Sequence, residues 1–341
     1  SALDSLPKLL ECVEEDKTDK IKNIEGIAFR EDGEVIVNYP KNLDKKLDET
    51  PWPDRDVIDN SLYSSMPSKN DSFTIVMAST GCKYNCNFCC LGNLGYSKRD
   101  AEDVVDEIEE AVNKHEIDTI SFMDDDFLGD KKLAREISKK IIEREIEFRW
   151  ICSSRIDHID KKTLQLMEKA GCIYIFFGIE SGSQKILNNI NKGITIDQIK
   201  EAVKLTKVVG INTAGYFMIG HPGETEKEVK KTIKLAKELP LDYAQFLKTV
   251  ARPGTNLYED VKEELGYDYF EKLIKGEVEP MELPTPWTDL SNEEINKWII
   301  KALNSFYLRP SFILHKLIAT KSFKNIKNYA KIGLDILKSG I

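Results

Sequence analysis

The chain has 341 residues, enough for one large domain with appendages or for two, and its net charge of −9 argues against a general nucleic-acid binder. It has no run of eighteen apolar residues and no signal-peptide pattern, which predicts a soluble, cytoplasmic protein. Three of its seven cysteines form a closely spaced motif in one loop, which indicates a metal site in a reducing compartment rather than a disulfide framework.

Residues 1–72 form a predicted lead-in and linker. Apolar positions predict a short helix over 6–13, and an Asp-Gly pair at 32–33 between two apolar runs predicts a hairpin. Prolines at 51 and 53 then force the chain into an extended path.

Three cysteines follow the first predicted strand, at 73–78, with the spacing C-x3-C-x2-C. These are Cys82, Cys86 and Cys89. Three sulfurs are one too few for a tetrahedral zinc shell or for every iron of a four-iron cluster. The pattern favours a 4Fe-4S cluster with one open iron that binds a small molecule. A zinc site completed by Cys90 or a distant histidine is the alternative, although Cys90 is better suited to packing because its neighbour is already a ligand.

At this loop the chain resembles the radical S-adenosylmethionine (SAM) enzymes, whose C-x3-C-x2-C loop follows the first strand of a partial β/α barrel. In that family an aromatic residue precedes the third cysteine, as Phe88 does here. The resemblance implies that the open iron binds the amino and carboxylate groups of SAM. One electron then cleaves SAM to give a 5'-deoxyadenosyl radical. We therefore expect a 4Fe-4S cluster and SAM as cofactors, with Phe88 beside SAM.

From residue 73 to about 255, short apolar strands alternate with amphipathic helices, which predicts a parallel β/α architecture. The predicted strands lie near 73–78, 118–123, 147–152, 173–179, 213–219 and 243–249. Capping boxes predict helix starts at Thr195, Thr225 and Ser291. The predicted fold is α/β, a partial (β/α)6 TIM-like barrel with a hairpin lead-in and a C-terminal helical extension over 256–341. Functional groups of such barrels lie at the carboxyl ends of the strands.

Three consecutive carboxylates follow the second predicted strand, at Asp124, Asp125 and Asp126. They repel one another and are therefore suited to meet a cation. By resemblance, Asp124 and Asp125 accept hydrogen bonds from the ammonium group of SAM. Asp126 or Asp130 is instead suited to cap the next helix.

The third and fourth predicted strands end in further charged residues. Arg155 carries a guanidinium suited to bidentate recognition of a carboxylate, and by resemblance it faces SAM together with Ser153. A surface salt bridge is the alternative for Arg155. The run Gly-Ile-Glu-Ser-Gly-Ser resembles the ribose-contacting strand of the family, which implies that Glu180 binds ribose hydroxyls. Lys192 matches the residue that meets the SAM carboxylate in coproporphyrinogen-oxidase-like relatives, with a solvated lysine as the alternative.

The fifth predicted strand ends in Gly220, His221 and Pro222, which resemble the Gly-x-Pro segment that lines the adenine in the family. Gly220 is accordingly predicted to contact SAM. His221 is suited to act as a base or a ligand, or as a hydrogen-bonded loop residue. No residue is assigned a catalytic role beyond these cofactor contacts.

The lead-in and a C-terminal run over 306–314 are similar to the cobalamin-associated branch of the family. In that branch an upstream domain binds cobalamin, and such a domain needs roughly another hundred residues. Either the chain is a fragment, or the cobalamin domain lies on another polypeptide, or this member works without cobalamin.

Residues 301–341 carry a net charge of +7, which leaves −16 for the rest of the chain. Apolar positions from Phe323 to Ile336 recur there at helical spacing among lysines. The pattern suits an amphipathic helix on anionic lipid at the inner membrane face, or a helix packed across the barrel mouth. A lipid or another natural product is therefore a candidate substrate.

The predicted function is radical SAM chemistry for cobalamin-linked C-methylation of an unactivated carbon. A cobalamin-independent oxidoreductase or cyclase is the enzymatic alternative, and a zinc-binding interaction module is the other. The radical chemistry implies a low-potential electron donor such as ferredoxin or flavodoxin.

Overall fold

The computed structural model describes residues 2–38, 47, 50–63 and 72–319. Helix α1 (Ala2–Glu14) is followed by an antiparallel hairpin of β1 (Ile27–Glu31) and β2 (Glu34–Asn38). Asp32 and Gly33 have positive φ angles of 53° and 86°, as a tight two-residue hairpin turn requires. The predicted helix and hairpin are confirmed.

Six parallel strands form the central sheet, and two short strands lie between the first and second of them. After the hairpin, the strands of the described residues are, in chain order, β3 (Phe73–Val76), β4 (Ser79–Thr80), β5 (Ser97–Lys98), β6 (Thr119–Phe122), β7 (Arg149–Ser154), β8 (Cys172–Glu180), β9 (Asn212–Ile219) and β10 (Tyr243–Lys248). The order in the sheet is β10-β9-β8-β7-β6-β3. Sequential parallel strands joined through helices are the topology of a β/α barrel, so the predicted α/β fold is confirmed.

Helices connect these strands and continue after the last one. They are α2 (Ala101–His115), α3 (Lys131–Glu143), α4 (Lys161–Lys169), α5 (Gln184–Asn189), α6 (Ile196–Val209), α7 (Glu226–Glu238), α8 (Asn256–Leu265), α9 (Phe270–Ile274), α10 (Asn292–Tyr307) and α11 (Pro310–Ala319). The capping boxes at Thr195 and Ser291 are confirmed. The helix start predicted at Thr225 is confirmed, but the capping box there is wrong, because the Thr225 hydroxyl donates to the carboxylate of Glu228 and accepts no backbone amide.

The helices cover one face of the sheet, and the main core lies between them and the strands. Trp150, Phe177 and Phe217 are fully buried there. Because side chains alternate along a strand, the opposite face carries its own smaller cluster around Tyr174 and Ala214. No helix in the described part of the chain is both long and apolar enough to span a bilayer. The predicted amphipathic positions 323–336 lie outside the described residues.

Buried charges tie the lead-in to the barrel. Nη2 of Arg55 donates to the carboxylate of Glu107 on α2 at 2.6 Å and to the carbonyl of Ile75 at 3.0 Å. Arg99 donates to the second carboxylate oxygen of Glu107 and, at 3.0 Å, to the carbonyl of Met77. Glu107 therefore joins the lead-in to the stretch that runs into the cysteine loop.

Candidate functional site

The cysteine loop, residues 81–94, starts and ends at an antiparallel pair of β4 and β5 that the sequence did not predict. Gly81 has a φ of 82°, and a Cβ there would lie 1.7 Å from the carbonyl oxygen of Gly95. A Cβ on Gly92 would lie 2.2 Å from the carbonyl oxygen of Tyr84. Only glycine permits these crossings, so the loop closes tightly on itself beyond the carboxyl end of β3.

Asp124 and Asp125 hold the start of this loop. The buried carboxylate of Asp124 accepts from the amide of Ala78 at 3.0 Å and from the hydroxyl of Ser79 at 2.6 Å. Asp125 accepts from the amide of Gly81 at 2.8 Å. Burial raises the pKa of Asp124 to about 6. Both carboxylates thus brace the loop, and their contact with the ammonium of SAM stays a prediction.

Asp126 and Asp130 have different partners. Asp130 caps α3 by accepting from two amides of its first turn at 3.1 Å, which confirms the helix-cap assignment for this residue. Asp126 accepts from the hydroxyl of Ser154 at 2.9 Å and from the amide of Arg155 at 3.1 Å. Asp126 therefore holds the end of β7 instead of capping a helix.

His158 links this aspartate to the cysteine loop. Its Nδ1 lies 2.9 Å from the carboxylate of Asp126, and its Nε2 lies 2.8 Å from the hydroxyl of Tyr84. The guanidinium of Arg155 lies over the Tyr84 ring, 3.5 Å from the ring centroid. Sequence reasoning missed Tyr84 and His158 because 74 positions separate them and no motif joins them.

Arg155 is buried, so the predicted alternative of a surface salt bridge is wrong. Its Nε and Nη2 donate to the two carboxylate oxygens of Asp157 at 3.0 and 3.1 Å. Its Nη1 lies 3.8 Å from Sγ of Cys86, and Nη2 also donates to the carbonyl of Lys192 at 2.6 Å. Ser153 lies half-buried on β7. The contacts of Arg155 and Ser153 with SAM stay predictions.

Glu180 and Lys192 form a buried ion pair with 2.7 Å between Nζ and Oε1. The register of β8 shifts between Gly178 and Glu180, and Glu180 has a φ of 64°. A non-glycine residue in this region costs about 1–3 kcal/mol, and such strain is concentrated at binding sites. A Cβ on Gly178 would lie 2.7 Å from the Glu180 carboxylate and 2.9 Å from Nζ of Lys192. Because Lys192 is only 6% exposed, the solvated-lysine alternative is wrong.

The donors in the loop fit an iron-sulfur cluster. Burial raises the pKa of the Cys82 and Cys89 thiols, and metal binding removes such protons. Arg155 and Lys192 place positive charge near Cys86, where thiolates and a cluster need compensation. No three His, Cys, Asp or Glu side chains form a single-ion site within the described ranges. In a four-iron cluster each thiolate binds a different iron.

Gly220 and His221 directly follow β9, and His221 packs against the cysteine loop. The ring of the fully buried His221 lies 5.5 Å from that of Phe88, and its Nδ1 lies 3.2 Å from the hydroxyl of Thr249. Burial lowers the pKa of His221 to about 3, so this imidazole is neutral at neutral pH. Trp287 donates to the carbonyl of Gly220 at 2.7 Å. These contacts support a loop role for His221, while SAM contacts of Phe88 and Gly220 stay predictions.

We expect stability to fall between pH 5 and pH 8 because of Glu224. Its Oε2 accepts from the amides of Gly220 at 2.6 Å and His221 at 3.2 Å, and its buried Oε1 has no hydrogen-bond partner among the described residues. Burial raises the pKa of Glu224 from 4.5 to about 7. The folded chain therefore keeps a proton that the unfolded chain loses above its own lower pKa. This stabilisation, about 2 kcal/mol, is lost as the pH rises through 7.

Chemical denaturation at both pH values measures this effect. The Glu224→Gln side chain stays neutral at every pH, so this variant is expected to reduce the difference in unfolding free energy between the two pH values. A smaller pH dependence remains in the variant because the pKa of Asp124 is raised to about 6. The exposed Glu226 of the next helix supplies the control, Glu226→Gln, which is expected to leave the slope unchanged. An E224Q slope equal to that of E226Q would contradict the assignment.

The stretch from β3 into α7 matches a family model described as Radical SAM superfamily, over residues 76–236. The chain belongs to this superfamily. A 4Fe-4S cluster and SAM are therefore its cofactors, and the recognition made from the three-cysteine loop is confirmed. The match favours the cluster over the zinc site. The assignment of individual residues to the two cofactors stays a prediction.

Two curated relatives match most of the chain. A protein named Uncharacterized methyltransferase PH0819, from Pyrococcus horikoshii, is 34% identical over 308 residues, which are 89% of this chain and 66% of that protein. An anaerobic magnesium-protoporphyrin IX monomethyl ester cyclase from Rubrivivax gelatinosus is 27% identical over 322 residues, 92% of this chain and 57% of that protein. The chain therefore spans between about half and two thirds of the length of these relatives.

A solved radical SAM structure shares the fold. The radical S-adenosylmethionine methyltransferase TsrM from Kitasatospora setae, solved with cobalamin and a [4Fe-4S] cluster bound, gives a TM-score of 0.51 at 22% identity. The match covers 57% of this chain and 40% of that one. At this identity the likeness concerns the fold alone.

Proposed function

We propose that the chain is the radical SAM unit of an enzyme that methylates an unactivated carbon with the help of cobalamin. One observation carries the proposal. Three thiols lie together with the charged side chains of Arg155, Glu180 and Lys192 at the carboxyl ends of strands β3, β6, β7 and β8. The relative named as a methyltransferase supports methyl transfer. The similarity of the lead-in to the cobalamin-associated branch and the cobalamin in TsrM support that cofactor.

In this proposal Cys82, Cys86 and Cys89 hold the cluster. When bound, the cluster supplies the electron that cleaves SAM into methionine and a 5'-deoxyadenosyl radical. Lys192 offers a cation for the SAM carboxylate, and Glu180 offers an acceptor for the ribose hydroxyls once their mutual ion pair opens. The pair thus keeps two buried charges satisfied until SAM replaces it.

The face of the sheet that the helices leave uncovered provides the apolar surroundings that a carbon radical needs. The rings of Tyr174 and Phe176 stack 5.3 Å apart, and those of Phe176 and Tyr216 stack 5.6 Å apart. Such a lining excludes water and fixes an organic substrate against the radical. These side chains support a substrate whose reacting region is apolar.

The partners follow from the chemistry and from the unmatched part of the relatives. Members of the family need a reductant, and a low-potential ferredoxin or flavodoxin fits this requirement. Cobalamin is bound mainly by residues outside this chain. We place the protein in the cytoplasm, with lipid contact through residues 301–341 as an additional proposal that liposome flotation of a tail-deleted protein tests.

Anaerobic assays with cluster-loaded protein, a strong reductant and SAM labelled in its methyl group test the proposal. A pooled extract of apolar metabolites serves as the substrate source. We expect 5'-deoxyadenosine to form and the label to enter an extractable product only when methylcobalamin is present. A product that forms equally well without methylcobalamin and carries no label would contradict methylation. That result would favour the oxidoreductase or cyclase alternative, which the cyclase relative supports.

A further inference from the structure

Three hydrogen bonds join the cysteine loop to residues 189–192, which comprise the last residue of α5 and the three residues after it. The amide of Asn87 donates to the carbonyl of Ile190 at 3.2 Å, and the side chain of Asn87 donates to the carbonyl of Asn189 at 3.0 Å. In the opposite direction, the side chain of Asn191 donates to the carbonyl of Asn85 at 2.8 Å. Two asparagine side chains therefore bond reciprocally to the backbone of the other segment.

The backbone at Asn191 is set for this contact. Its φ is 53°, in the left-handed region that asparagine adopts more readily than most residues. The side chain consequently points away from its own segment and reaches the cysteine loop. The Asn191 side chain thus bonds the carbonyl of Asn85, 106 positions earlier in the chain, and does not merely complete its own turn.

Lys192 is the next residue, and it is held from two directions. Its carbonyl accepts from Nη2 of Arg155 at 2.6 Å, and Nη1 of the same guanidinium lies 3.8 Å from Sγ of Cys86. Its Nζ pairs with Glu180 at 2.7 Å. A shift of the cysteine loop would therefore move the backbone of Lys192 and alter the ion pair.

We propose that Asn87 and Asn191 form a latch through which the cysteine loop, once fixed by its cluster, places Lys192 and Glu180 for SAM. Neither asparagine is a cluster ligand, so both are positioning residues that act through the backbone of the other segment. The inference rests on the proposed function for the roles of Lys192 and Glu180. Because coupling between two binding events is reciprocal, SAM in turn stabilises the loop around its cluster.

Two variants remove the hydrogen bond of the Asn191 side chain, one of the three bonds of the latch, without changing the cysteines. Asn191→Gly keeps the left-handed backbone and deletes the side chain, while Asn191→Asp keeps the shape and loses the donor. Asn188→Ala is the matched control, because the exposed Asn188 side chain only accepts from Gln184 in the same helix. Hydrogen exchange of residues 184–194 is measured in the absence of SAM, once with the cluster and once without it. The comparison reports directly how the cluster affects the segment that carries Lys192. Equilibrium dialysis of SAM against cluster-loaded protein reports its consequence.

In the native chain and in N188A, cluster loading is expected to slow hydrogen exchange at residues 189–193 about tenfold. This is the slowing expected when one additional hydrogen bond opposes local opening of the segment. N191G and N191D are expected to retain about four irons, to lose this slowing, and to bind SAM about tenfold more weakly. Equal slowing in both variants, SAM binding equal to that of N188A, or loss of iron from both would overturn the latch. Neither readout involves methyl transfer. If both readouts behave as expected but the protein methylates no substrate, the latch stands and only the proposed function is contradicted.

Discussion

Replacement of Cys86 by alanine is expected to abolish SAM cleavage, with deoxyadenosine formation falling at least about a thousandfold. Cys86 is the buried member of the three cysteines and has Nη1 of Arg155 at 3.8 Å. Its loss leaves two thiolates for a cluster that needs three.

Iron analysis and absorbance near 400 nm, roughly where thiolate-bound iron clusters absorb, measure the loss of the cluster independently of turnover. Cys90→Ala is the matched control, because Cys90 directly follows Cys89 and lies outside the motif. The C90A protein is expected to keep its iron and its SAM cleavage. A C86A protein that holds as much iron as C90A would contradict the ligand assignment.

Glu107→Gln is expected to destabilise the fold by about 3–5 kcal/mol. Glu107 is 1% exposed and accepts from both Arg55 and Arg99. Its neutral replacement therefore takes the counter-charge of Glu107 from the buried guanidinium of Arg55, and it leaves Arg99 with Asp103 as its carboxylate partner. The same change detaches the lead-in from the strand that precedes the cysteine loop, because Arg55 also bonds the backbone of β3. We therefore expect the variant to lose its cluster more readily to a chelator.

Urea unfolding of the apoprotein measures the change in free energy. The control is Glu110→Gln on the same helix, where a partly exposed Glu110 lies 3.3 Å from Lys114. A surface pair of this kind contributes about 0–1 kcal/mol. If E107Q and E110Q unfold at the same urea concentration, the buried network does not support the lead-in.

The strands and helices could be predicted from the sequence because each depends mainly on the residues within its own segment. Apolar runs and amphipathic periodicity follow from each segment's own burial, so all six sheet strands appear within a few residues of their predicted positions. The cysteine spacing likewise lies within one loop and predicted the family correctly. Asp130 was recognisable as a cap because the helix it serves begins at the next residue.

Contacts between distant segments could not be predicted in this way. The β4–β5 pair depends on a close crossing at Gly81, and His158 meets Tyr84 only after β7 is placed beside the loop. Periodicity also did not indicate that the carboxylate of Asp124 accepts hydrogen bonds from the amide of Ala78 and the hydroxyl of Ser79, just before the cysteine loop. At Thr225 the motif was present, but two side chains bonded each other instead of the backbone.

The central claim is that the three thiols hold a cluster whose open iron takes SAM and splits it. The most direct measurement is 5'-deoxyadenosine produced by anaerobically reconstituted protein, with its iron content determined, after addition of SAM and dithionite. We predict about four irons per chain and deoxyadenosine at one equivalent or more, because three thiolate ligands leave one iron of the cluster open to SAM. Protein that holds four irons and yields no deoxyadenosine under these conditions would contradict the account.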